Sequence, residues 1–244
     1  MSNAPAAGHA LAILSHLATR VEPVPAAHIA RELGLPRSST YHLLATLIEH
    51  GYVIHYADEQ RYGLGIAAYE LSSGYQRQSP LQRLARPIVQ RLVDATTHNA
   101  HLVVLHGRDV LYLIEERAPG RPLLVTDVGV RLPSTLTASG MAMLASLSPK
   151  QVRALFPNAD ALVGGPATLA DLRRELAAVR RRGYALEEGS VTPGLSSVAQ
   201  AVVDGAGHPV AALALTFPSD YGVDPARLAE SVASAAAQLS RRLS

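Results

Sequence analysis

Two short runs of apolar residues at helical spacing, separated by a glycine and a proline, constrain the N-terminal third of this chain more than any other feature. Ala26, Ile29, Ala30 and Leu33 share one helical face, and Gly34 then supplies a stop that lets the chain turn sharply. Pro36 suits the first turn of a second helix, where its missing N–H has no intrahelical partner anyway. Tyr41, Leu44, Leu47 and Ile48 follow at helical spacing and are expected to form its buried stripe. Two helices this short cannot close a core. A periodic segment over residues 9–20, with Leu11, Leu14 and Leu17, supplies the third. Gly51 ends the second helix; Tyr52, Ile54 and Tyr56 alternate, residues 57–60 make a polar turn, and Tyr62 and Leu64 resume the alternation of a hairpin.

Helix, tight turn, helix and hairpin in this order predict a winged helix-turn-helix, whose second helix enters the major groove of DNA. Arg37, Ser38, Ser39 and His42 fall at the N-terminal end of that helix, where phosphates and base edges are met. Arg61 in the hairpin is expected to touch a backbone phosphate. Net charge does not reinforce this reading. Residues 1–80 carry five arginines and no lysine against six acidic residues, a balance of −1, whereas residues 81–244 carry +3 of the overall +2. DNA affinity then depends on where the few cations sit and on how many copies bind together. The rival reading is a ligand-binding protein-interaction module without specific DNA binding.

A chain of 244 residues with 48% hydrophobic residues has room for two compact domains. Cysteine is absent, which excludes a disulfide framework and a thiolate nucleophile. There is no basic stretch leading into an apolar leader and no apolar run of membrane-spanning length, so a cytoplasmic protein without a membrane partner is expected. The ten histidines are scattered, and His98 with His101 is too thin a pattern for a metal site. Phosphate-loop and dinucleotide signatures are lacking, so no cofactor is expected.

The domain boundaries are expected at 1–65 for the DNA-binding domain, 66–79 for a linker helix and 80–244 for the second domain. Ile66, Tyr69 and Leu71 continue a helix out of the hairpin, which Ser72, Ser73 and Gly74 should weaken. Beyond it the pattern is mixed α/β (α+β). Helices are expected over 81–97, 137–146, 149–156, 169–182 after the cap Thr168, and 225–243, with strands over 100–105, 109–115, 123–128, 183–187, 196–203 and 209–217. Such a mixture suits a ligand sensor or a small enzyme. Ser139 and the Ser196-Ser197 pair invite a hydrolase reading, but no G-x-S-x-G elbow occurs. Glu115-Glu116 and Glu187-Glu188 are neighbours on strands and point to opposite faces, so neither doublet converges as an acid and a base. The chain is expected not to be an enzyme.

Four segments in order, GLPRSSTYHLLATLIEHGY, the YGLG that begins at Tyr62, RLPSTLTASGMAMLA, and GYALEEGSVTPGLSSVAQAVVDGAGHPVAAL, resemble the IclR (isocitrate lyase regulator) family of bacterial transcription factors. The resemblance implies a homodimer or tetramer that binds double-stranded operator DNA through its winged helices. It also implies a GAF-like C-terminal domain that binds a small organic acid or related metabolite. Carried onto this chain, the effector site would involve Ala138, Ser139, Gly140, Met141, Glu187, Leu195, Ser197, Ala214 and Thr216. This sequence departs from the family pattern at several of its marks. His42 replaces a usual arginine, Met141 a usual lysine, Ser197 a frequent cysteine and Ser190 a common acidic residue, while Gln200-Ala201 stands for a usual Ala-Pro. Because Glu187 would oppose an anionic ligand, it is expected at the polar rim or to act through its backbone.

Overall fold

The computed structural model describes residues 4–78, 80–120, 126–220 and 222–243. The chain divides into two compact units, Met1–Ser79 and Pro80–Ser244.

The first unit contains α1 (Pro5–Ala18), β1 (Val24–Pro25), α2 (Ala26–Glu32), α3 (Arg37–Glu49), β2 (Val53–Tyr56), β3 (Arg61–Leu64) and α4 (Ile66–Gln78). The strands form an antiparallel sheet in the order β1-β3-β2. Ile13 and Leu17 of α1, Ile29 of α2, Leu44 and Leu47 of α3, and Val53 and Tyr62 of the wing share one core. Helix–turn–helix and hairpin lie where expected, but the buried stripes are rotated. Leu11 is exposed and Ile13 takes its place. In α3, Thr40 rather than Tyr41 or Ile48 completes the stripe with Leu44 and Leu47. Thr40 tolerates burial because its hydroxyl donates to the Pro36 carbonyl at 3.1 Å and only its methyl needs apolar company. Pro36 itself sits one position earlier than expected, as the extended residue before the helix.

In β2 the alternation is inverted by one residue: Val53 is buried while Ile54 and Tyr56 are exposed, because a single-residue slip exchanges the two faces of a strand. In β3 Tyr62 is buried and Leu64, at the strand end, is exposed. His55 stacks on Tyr62 at 4.5 Å. Gly65 closes the wing against the end of α3: a β-carbon there would lie 2.2 Å from the Gly51 carbonyl oxygen, a backbone atom that cannot step aside. The Gly65 amide donates to Tyr52 and that of Ala67 to Gly51, which anchors the start of α4. This helix continues through Ser72, Ser73 and Gly74 instead of fading there.

The second unit contains α5 (Pro80–Thr96), β4 (Asn99–His106), β5 (Asp109–Glu116), β6 (Arg131–Pro133), α6 (Ala138–Ser146), α7 (Pro149–Leu155), a single 3-10 turn (Ala159–Ala161), α8 (Leu169–Arg182), β7 (Ala185–Glu188), β8 (Leu195–Val203), β9 (Pro209–Pro218) and α9 (Pro225–Leu243). Six strands form one antiparallel sheet in the order β6-β5-β4-β9-β8-β7. The strand expected over 123–128 falls partly on residues outside those described, and its last three residues, from Thr126, are coil and turn. The short β6, which the sequence pattern did not single out, pairs with β5 instead.

Alternation sorts the sheet into two faces. Ala100, Leu102, Val198, Val202, Leu213 and Leu215 pack with Ile88 of α5 and Val232 of α9. Ala185, Ala199 and Ala214 face α6 and α8, meeting Ala138, Met141, Leu144, Leu172 and Leu176. Alanines on this face let α6 approach the sheet closely, which is why residues 138–145 are all buried. Arg180 of α8 donates to the Ala145 and Leu147 carbonyls and so caps and fixes the C-terminal end of α6. Its N-terminal end is set by Thr137, whose hydroxyl accepts from the Gly140 amide at 3.0 Å.

Candidate functional site

Two sets of residues have the makings of a site. The first is the start of α3. Arg37, Ser38 and His42 are exposed and Ser39 is half-buried. The helix begins without a side-chain cap, which leaves its first amides and their positive dipole end available to a phosphate. Among the described residues none offers Arg37 an ion-pair partner. Sequence spacing did not collect two neighbours from α2: His28 and Arg31 line the same shallow groove as Gly34 and Arg37. The Arg31 guanidinium donates to His28 Nδ1 at 2.9 Å, so the two side chains hold each other beside the turn. Three basic groups thus gather at the turn of a unit that has no net positive charge.

Arg61 is placed differently. It donates to the Pro23 carbonyl at 3.0 Å and lies 3.9 Å from both Glu22 and Glu59. Its guanidinium therefore ties the wing to the segment before β1.

The second set lines a small pocket on the α6 face of the sheet. Glu187, Ser197 and Thr216 are direct partners across β7, β8 and β9, so their side chains stand in a row. His101 of β4 extends it: its Nε2 is 3.2 Å from Thr216 Oγ1, which is 2.9 Å from Ser197 Oγ. Tyr112 of β5 meets the His101 ring edge-on at 5.5 Å. Thr137 and Ser139 at the start of α6, Leu195 and Ala214 from the sheet, and Thr126, Val191 and Thr192 from loops complete the wall. The unfilled space is about 20 Å³, close to what one water needs.

Burial sets the electrostatics. The Glu187 carboxyl is raised above its ordinary value by desolvation, a shift opposed by hydrogen bonds from the Val191 and Ser190 amides and from Ser197. Its Oε1 accepts from both of these amides, the Val191 bond measuring 3.1 Å. Desolvation, reinforced by the positive charge of Arg117, holds the His101 imidazole neutral, its pKa lowered to about 4. Burial raises the Tyr112 phenol, with Glu187 and Glu115 adding to the shift. Among the described residues, His101 Nδ1 and Thr126 Oγ1 are buried without a hydrogen-bond partner.

Of the nine positions carried over for an effector, Ser139, Glu187, Leu195, Ser197, Ala214 and Thr216 line this pocket. Ala138 and Met141 instead face the apolar core with α8. Gly140 packs on the preceding loop, where a β-carbon would lie 2.1 Å from the Ser134 carbonyl oxygen. Glu187 is not at the rim: it is buried and lines the pocket. Beyond the carried-over positions, His101, Tyr112, Thr126, Val191 and Thr192 also line the pocket, with Thr137 at the helix start. The signal for His101 and Tyr112 was the strand alternation, which names their face only once β4 is known to lie between β5 and β9. Among the described residues no group of three or more acidic or histidine side chains could hold a metal ion, and no helix is long and apolar enough to cross a membrane.

Comparisons with known proteins cover both units. The IclR helix-turn-helix domain matches residues 6–54, and the bacterial transcriptional regulator IclR C-terminal domain matches residues 74–241. The chain is 30% identical over 240 residues to the HTH-type transcriptional regulator XynR of Escherichia coli, covering 96% of this chain and 95% of that one. It is 28% identical over 213 residues to the acetate operon repressor of Salmonella typhimurium, covering 85% and 78%. An IclR transcriptional regulator from Alicyclobacillus acidocaldarius superposes over the whole of both chains with a TM-score of 0.86 at 22% identity. With both domains matched in order, the chain belongs to the IclR family of DNA-binding transcriptional regulators with a ligand-responsive C-terminal domain.

Proposed function

We propose that this protein controls transcription from its own operator, and that a small organic acid seated between α6 and the sheet modulates that binding. The observation that carries the second half is the pocket itself, a polar row of Glu187, Ser197, Thr216 and His101 inside an otherwise apolar layer. Buried polar groups are costly unless satisfied, and this row sets a carboxyl, two hydroxyls and an imidazole on one wall, a lining that can orient a small polar ligand. An IclR homologue from Microbacterium hydrocarbonoxydans, 24% identical with a TM-score of 0.79, is complexed with 4-hydroxybenzoate, which supports an acid as the ligand class.

On the DNA side, Arg37, Ser38, Ser39 and His42 contact the operator. Arg61 contributes least, since most of its donors already face protein oxygens. His42 reads or positions without the fork of a guanidinium, so its base preference is its own. The functional unit is a homodimer or tetramer: α4 exposes Ile66, Tyr69 and Leu71, which suit pairing between copies. The effector acts by binding two arrangements of the paired winged helices unequally.

The test is selection of the full-length protein on a duplex library that includes its own upstream DNA, with excess competitor at two salt concentrations. Recovery of a discrete site with palindromic halves is the expected result. Retention without sequence preference, or none, would favour an interaction module.

A further inference from the structure

The pocket already contains a carboxyl group. Glu187 is buried in its wall, and the backbone amides of Ser190 and Val191 are spent on it. The Gly140 amide at the start of α6 is likewise taken, by Thr137. No lysine or arginine lines the pocket among the described residues, and Arg117, whose field reaches His101, is closed on Glu115. A second carboxylate placed here as an anion would meet Glu187 without a compensating charge, and two carboxylates in one desolvated site cannot both stay ionised.

We infer that this pocket takes an organic acid only together with one proton from solvent, shared between the ligand carboxyl and Glu187. The inference rests on the effector reading proposed above. Charge balances: two carboxylates, one on the ligand and one on Glu187, combine with one proton to leave a single negative charge, hydrogen-bonded within the pair and to the two amides. The other groups facing Glu187 do not take over this role. Tyr112 from β5 is a phenol kept protonated, Ser197 from β8 and Thr216 from β9 are hydroxyls, and Glu188 beside it on β7 is a further carboxylate pointing to the opposite face. His101 from β4 is the one alternative carrier, because its Nδ1 is open. Burial, which raises Glu187 and lowers His101, favours Glu187 as the proton's seat.

The test uses the full-length protein and matched acid and amide pairs: 4-hydroxybenzoate with 4-hydroxybenzamide, and glycolate with glycolamide. Binding is followed by thermal shift and by titration calorimetry at pH 6 and pH 8 in buffers of different ionisation enthalpy, which counts protons directly. Acids are expected to weaken about tenfold for each pH unit with one proton taken up, while amides keep one affinity throughout. In Glu187→Gln, acids are expected to bind equally at both pH values without proton uptake; the wild-type proton count stands even if that variant fails to fold. Acid binding that is independent of pH with no proton taken up overturns the proposal alone. Proton uptake that persists in Glu187→Gln moves the proton to His101 and also overturns it. If neither acid nor amide binds at either pH, the effector reading itself falls, and the inference with it.

Discussion

The two units of this chain keep their functional groups in opposite ways. At the start of α3 the polar side chains stand in solvent on a single short helix, and their neighbours in sequence are their neighbours in space. In the pocket Glu187 and His101 are buried and Ser197 and Thr216 half-buried, and the four come from four strands that span 115 residues from His101 to Thr216. A surface site costs the fold little and tolerates substitution; a buried one is held by packing on every side. The difference should appear as a separation of stability effects from binding effects.

The largest expected effect is Gly140→Ala. Its new methyl would strike the Ser134 backbone, so the C-terminal unit should lose about 4 kcal/mol or more, read by chemical denaturation. If α6 shifts and the loss stays small, the pocket is softer than its packing indicates. Next is a pair on α3. Leu44→Ala should cost about 2–5 kcal/mol, whereas Tyr41→Ala, on the exposed flank of the same helix, should cost less than about 0.5 kcal/mol. Equal losses would restore the stripe that sequence spacing suggested.

His101 sharpens the comparison through pH. Its folded pKa, about 4, lies below the ordinary 6.5, so its contribution to stability is full above pH 6.5 and is lost as pH falls toward 4. The shift corresponds to about 3 kcal/mol, and His101→Gln should flatten the denaturation profile across that window. A profile that keeps its slope would mean that other groups drive acid unfolding.

Smaller effects belong to the surface. Arg37→Ala should weaken operator binding by about 1–3 kcal/mol and lower the salt slope by about one, with no change in unfolding midpoint. Arg61→Ala should do the reverse. It removes the bond to Pro23, costing about 1 kcal/mol in stability, and leaves DNA affinity nearly as it was. A large loss of affinity with intact stability would instead put Arg61 on the phosphates.

Local chemistry was legible wherever a signal is carried by adjacent residues. The cap at Thr168 and the helix it starts, the turn after Gly34, the glycine at the end of α3 and the final helix from Pro225 all follow from spacing and capping alone. So did most of the order of elements, β1 and β6 apart, and, through four linked motifs, the family. What a helical stripe or a strand alternation does not carry is its phase. Ile13 rather than Leu11, Thr40 rather than Tyr41 and Val53 rather than Ile54 are inside because the facing elements select which side is buried, and in each case the error is one or two residues along the chain.

By itself, then, the sequence determined the main elements, their order and the presence of a helix-turn-helix, because propensity, capping and periodicity act over a few residues. The strand order β5-β4-β9-β8-β7 determined the pocket. Only that order brings His101 and Tyr112 beside Thr216, buries Glu187 among them and spends the Ser190 and Val191 amides on its carboxylate. Burial and hydrogen-bond competition are properties of the assembled layers, and they decide whether a glutamate in a sequence motif is a solvated rim or a carboxyl buried in the site.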